Sequence, residues 1–202
     1  MEDAKGGYHH GNLREALLDV AEQLLAEQGA AQLSLRAVAR AAGVSHAAPY
    51  RHFPDKAALL RGVGQRGFEA LERRLRVVSD GAGGTRAALE VAGRAYIELA
   101  LANPERTLLM LASRPDGADQ DADFRRAAVG AYRALAGLVE QGVAEGVFGG
   151  DPAILTLTAW SGVHGFAMLA LTGNLPGSAG GHIEPTLMTS VVERVVAGLC
   201  AD

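Results

Sequence analysis

Apolar side chains recur every third or fourth residue in one segment after another, and Gly, Pro or Asn-Pro ends each segment. Leu13, Leu17, Val20 and Leu24 form a first stripe that stops at Gly29. Leu35, Val38, Ala39 and Ala42 form a second that stops at Gly43. Longer periodic stretches cover 55–78, 85–102 (ended by Asn103-Pro104), 104–112, 123–145, 152–172 and 184–199. A period near 3.6 places these residues on one side of a helix, and a strand cannot use it. Aromatic residues make up only 5% of the 202 residues, and alanine and leucine dominate, which favours helix further. The expectation is an all-α chain of about nine helices.

The turns specify which helices are neighbours. Ser34 is a good N-cap for the second helix, and only Gly43-Val44-Ser45 separates it from a third segment running to Phe53. Two short helices joined by a three-residue turn containing glycine make a helix-turn-helix, whose second helix lies in the major groove of DNA. Pro49 falls inside that second helix, so its first turn is expected to be irregular or 3₁₀-like. Pro54 closes it and Asp55 caps the helix after it. Charge agrees with this placement. Between Ser34 and Lys56 there are four cationic residues (Arg36, Arg40, Arg51, Lys56) against Asp55 alone. The whole chain is nevertheless −4, so the remainder is acidic. A basic island on an acidic body fits one nucleic-acid face.

Several classes are disfavoured. Cys200 is the single cysteine, so no intrachain disulfide forms and a cytoplasmic setting is expected. The opening MEDAKGGYHHGN lacks the apolar core of a signal peptide. No charged side chain occurs from Pro152 to Ile183, a length that could cross a bilayer. Thr156, Thr158, Ser161, Gly162, His164 and Gly165 interrupt it and no basic cluster follows, so burial in a core or an oligomer interface is expected instead of a membrane. The acidic loop 114–123 has its glycine in the wrong place for an EF-hand. No nucleophile–base pair, phosphate loop or HExxH motif supports an enzyme, and no catalytic residue, metal or cofactor is expected.

Three motifs carry a family resemblance: SLRAVARAAGVS from Ser34, YRHFPDK from Tyr50, and WSGVHG from Trp160. The chain resembles the tetracycline-repressor-like (TetR) regulators, the last motif being similar to a Trp-His-Gly group of their C-terminal domains. The resemblance implies a homodimeric, ligand-responsive DNA-binding protein, usually a repressor on a near-palindromic operator. It implies a four-helix dimer interface from the eighth and ninth helices, which would use the uncharged stretch. The expected domains are an arm at 1–11, a helix-turn-helix domain at 12–56 and a ligand-binding and dimerisation domain at 57–202. A transcriptional activator or a ligand-independent regulator of the same fold remains the alternative.

Candidate residues follow. Ser34 caps its helix and can donate to a phosphate. Arg36 matches a family position that reaches bases or phosphates. Ser45, His46 and Ala47 sit at the N-terminal end of the recognition segment, where base edges are read. His46 is the best candidate for a base contact, and Ala47 permits close approach. Tyr50 and Lys56 match the family's phosphate clamps, and His52 is either a third contact or packed beneath the helix. Phe53 is expected in the core. In the second domain Trp160 and His164 are four apart and share a helix face that Met168 continues. Tyr96, Met110, Phe124 and Tyr132 lie on helices expected to surround it. Such a pocket would take a small hydrophobic molecule, with His164 either a ligand contact or a buried structural group.

Overall fold

The computed structural model describes residues 13–81, 83–112, 122–175 and 183–201. The arm at 1–11, Asn12 and most of the loop at 114–123 lie outside them. The described residues are all-helical: α1 (Leu13–Gln32), α2 (Leu35–Ala41), a 3₁₀ turn (Pro49–Arg51), α3 (Lys56–Gly81), α4 (Thr85–Ala102), α5 (Pro104–Ala112), α6 (Ala122–Ala144), α7 (Pro152–Leu171) and α8 (Pro185–Ala197). The chain divides into two compact units, residues 1–63 and 64–202, so the first unit runs on past Lys56 through the opening turns of α3.

In the first unit, α1 turns Leu17, Leu18, Ala21 and Leu25 into the core. The expected line of Leu13, Leu17, Val20 and Leu24 lies one residue to the side, and Leu13, Val20 and Leu24 are only half-buried. The reason is that α1 packs on α2 and also meets α3, where Gly62 lets Leu18 and Phe53 come close. A Cβ on Gly62 would stand 2.9 Å from Leu18 Cδ2 and 3.2 Å from Phe53 Cε1. At Gly29 the backbone leaves helical geometry (φ 75°, ψ 165°), the break that the glycine announced. In α2, Leu35, Val38, Ala39 and the following Ala42 are all buried, as the periodicity required.

In the second unit α4 is central, packing against α5, α6, α7 and α8, while α7 also touches α6 and α8. The core joins Ile97, Val139, Phe148, Phe166, Val192 and Leu199. Phe148 and Cys200 form an isolated antiparallel bridge, with Gly149 N–H donating to the Leu199 carbonyl (3.0 Å). That bridge ties the α6–α7 connection to the chain beyond α8. Asp151 caps α7 by accepting from the Ala153 N–H (2.8 Å), followed by Pro152 in the first turn. In α8 Val192 and Val196 face the core and Leu199 is buried just past its end, while Leu187, three four-residue steps before Leu199, is exposed. Steps of four residues drift around a helix by about 40° each, so a 4-4-4 series leaves the core face along its length.

Candidate nucleic-acid interface and ligand cavity

The turn after α2 is built by backbone hydrogen bonds. Gly43 takes φ +67°, its N–H donates to the Arg40 carbonyl (3.2 Å), and the Val44 N–H reaches back to Ala39 (3.0 Å). This pair of bonds is a Schellman closure, and its left-handed residue is where glycine is favoured. Ser34 Oγ accepts from the Ala37 N–H (3.1 Å), so the cap on α2 is in place while its side chain stays exposed.

The recognition segment is shorter than its expected span of 45–53. Only Pro49–Arg51 is helical, and it is a 3₁₀ turn. Pro49 has no N–H to offer the Ser45 carbonyl, which accepts instead from Ala48 at 3.0 Å, three residues on. Arg51 and His52 likewise donate three residues back, to Ala48 (3.3 Å) and Pro49 (3.0 Å). Pro49 and Phe53 are buried, and this plants the segment on the first unit's core. The Arg14 guanidinium lies 5.5 Å from the Phe53 ring centre and closes that core from above. Everything else the sequence singled out here points outward: Arg36, Ser45, His46, Ala47, Tyr50 and His52 are exposed. His52 is therefore not packed beneath the segment. Lys56 is half-buried, and its Nζ donates to the Ala31 carbonyl (3.0 Å), holding the start of α3 to the end of α1. Asp55 caps α3 through the Ala58 N–H (2.7 Å).

Within the second unit lies a cavity of about 300 Å³. Tyr96 of α4, Met110 of α5, Tyr132 of α6 and Trp160 of α7 line it, bringing together four of the seven side chains proposed from sequence. Phe124, His164 and Met168 are not among the lining residues. Phe124 packs edge-on against Phe68 (ring centres 5.4 Å apart), and Met168 is half-buried farther along α7. His164 stands one layer behind the wall, where its Nδ1 is 2.7 Å from the Tyr96 hydroxyl. Burial is the main cause that pushes the Tyr96 hydroxyl up to about 12, with a hydrogen bond to Trp160 opposing it. Burial also lowers the His164 imidazole below its ordinary 6.5. The Tyr96 hydroxyl thus keeps its proton, and which member of the pair donates follows the imidazole tautomer. Trp160 stacks on to the same group, 6.2 Å from both the Tyr132 and His164 rings. Sequence reasoning missed the small wall residues Ala92, Gly93, Ala128, Ala131 and Ala159. Small residues create space in one context and close packing in another, so nothing in the sequence separates the two.

One face of α7 is apolar and uncovered. Ile154 is 63% exposed and Leu157 50%, and Leu169 continues the row. The helix is long and apolar enough to cross a membrane, and a third of its apolar window is buried within the protein.

Comparison with known proteins gives the same division. The model described as bacterial regulatory proteins of the tetR family matches residues 17–63, and that of the tetracyclin repressor-like C-terminal domain matches residues 89–195, more than half of the chain. A solved protein of unknown function from Rhodococcus sp. RHA1 is 34% identical with a TM-score of 0.83, covering 98% of this chain and 100% of that one. The fatty acid degradation regulator FadR from Bacillus halodurans shares the fold at 17% identity and a TM-score of 0.72, covering 92% and 99%. Among curated proteins, the nucleoid occlusion factor SlmA of Aliivibrio fischeri is 32% identical over 100 residues, 49% of this chain and 51% of that protein. The chain thus spans about half the length of the curated relatives it matches. With a helix-turn-helix unit and a helical C-terminal unit each matched in its own right, the chain belongs to the TetR family of bacterial DNA-binding transcription regulators.

Proposed function

We propose that this protein is a homodimeric, ligand-responsive repressor that leaves a near-palindromic operator when a small hydrophobic effector fills the second unit. The observation that carries the reading is the outward face of the recognition segment. Ser45, His46, Ala47, Tyr50 and His52 are exposed while Pro49 and Phe53 anchor them, on a basic stretch of an acidic chain. His46 reads a base edge, Tyr50, Lys56 and Ser34 hold phosphates, and Arg36 takes either. Lys56 has spare donors for this, since an ammonium carries three and Ala31 uses one. Two copies place two such faces on successive turns of the duplex. The dimer forms through the uncovered face of α7 together with α8, which accounts for an uncharged row from Ile154 to Leu169 in a soluble, cytoplasmic, non-enzymatic regulator.

The effector works by binding one arrangement of the dimer better than the other. The cavity favours this over a ligand-independent role, because an apolar pocket of this size with a few polar groups is the usual form of a small-molecule site. Fluorescence anisotropy on operator DNA selected from random sequence tests the DNA assignment. The Tyr50→Ala, Lys56→Ala double variant should weaken binding and lower the salt slope by about 2 in a dimer, at roughly 0.9 per phosphate that Lys56 neutralises, while the neutral Tyr50 contributes affinity and no slope. Unchanged affinity and slope together would show that these two side chains do not touch the backbone.

A further inference from the structure

The cavity also carries information about the charge of what enters it. Among the described residues no Asp, Glu, Lys, Arg or His lines it. The only polar side chains on the wall are Tyr96, Thr107, Tyr132 and Trp160. Two of the four are already engaged. The Tyr96 hydroxyl pairs with His164 at 2.7 Å, and the Thr107 hydroxyl turns to the Ala100 carbonyl at 3.4 Å. An ionised group brought into such a wall loses water and meets no counter-charge, with only the neutral donors of Tyr132 and Trp160 to replace it, which is an expensive form of burial. A neutral molecule loses little and gains the dispersion and hydrophobic contacts of the leucine and alanine walls.

We infer that the effector is an uncharged, mainly hydrocarbon molecule, and that this pocket discriminates against carboxylates and ammonium ions of the same skeleton. This rests on the effector-pocket reading above. A regulator whose signal is a free acid would need a cation at the pocket, and the wall offers none.

The test uses the chain's only tryptophan, which stands on the cavity wall. Full-length protein is titrated at pH 7.5 with decan-1-ol, decanoate and decylammonium, each below its micellar concentration, and Trp160 fluorescence is followed. Decan-1-ol should give a saturable change with a Kd at least about 10-fold below those of both ions. Ala128→Phe and, separately, Ala92→Leu place bulk inside the cavity and should suppress the decan-1-ol response while circular dichroism stays helical. Decanoate or decylammonium binding as tightly as the alcohol would overturn the inference while leaving an effector pocket in place. A decan-1-ol response that survives in a folded cavity-filling variant would also overturn it, because the alcohol would then be bound elsewhere. Silence with all three probes would remove the pocket reading itself, and the inference with it.

Discussion

Gly43 offers a test in which backbone and side-chain effects predict opposite orders. Its φ of +67° lies in the left-handed region, and a Cβ built there meets no atom within 4 Å. Any cost of substitution is therefore conformational. For alanine the left-handed penalty is about 1–2 kcal/mol. The stiffer unfolded chain returns about 0.4–1 kcal/mol, leaving a net loss of roughly 1 kcal/mol. Asparagine tolerates this conformation and should cost less than alanine, while valine, branched at Cβ, should cost most. Amide hydrogen exchange of the full chain reports directly on the two bonds that close the turn, those of the Gly43 and Val44 N–H groups. Their protection should fall about fivefold in Gly43→Ala, less in Gly43→Asn and more in Gly43→Val. Melting temperature should follow the same order, with alanine lower by roughly 2–4 °C for a chain of this size. An order set by volume, with asparagine worse than alanine, would mean that the turn is sterically enclosed. It would refute the geometry on which the helix-turn-helix assignment stands.

The remaining outcomes concern the second unit. Ile154→Asp and Leu157→Asp place a charge on the open face of α7, where each side chain is at least half exposed in one chain. Both variants should stay folded and sediment as monomers at micromolar concentration, because a two-fold interface repeats the burial of each charge. Dimers of unchanged strength would move the interface elsewhere. Burial holds the His164 imidazole below 6.5, so the unfolded chain takes up a proton that the folded chain resists. Stability should then be lost as pH falls from about 6.5 toward the folded-state value. Thermal melts of the wild type and of His164→Gln between pH 7.5 and 5.5 check this, and equal pH slopes would exclude His164 as the source.

The division of the chain was legible in its sequence because caps and breakers act locally. Ser34, Asp55 and Asp151 each accept the backbone N–H their positions called for, since an N-cap bond spans only two or three residues. Gly29 and Gly43 mark breaks because a left-handed backbone needs no partner elsewhere in the fold. The irregular recognition turn could be foreseen from Pro49, whose missing N–H is a property of the residue itself. Its extent could not. Whether a few residues after a proline resume an α-helix depends on what holds them, and that is the packing of α2 on the turn and of α1 and α3 at Phe53.

What only the tertiary structure decided was which face of each periodic helix is inner, and where space remains. α1 and α8 each carry more apolar positions than one contact uses, so the stripe read from spacing was not the one that packing chose. The wall of the cavity was decided in the same way. Tyr96, Met110, Tyr132 and Trp160 come from four helices and meet across gaps left by alanine and glycine. His164, four residues from Trp160, turns behind that wall to Tyr96. Helix boundaries are set by bonds a few residues long. Cavities and buried faces are set by the relative placement of whole helices, a sum over many contacts that no local pattern contains.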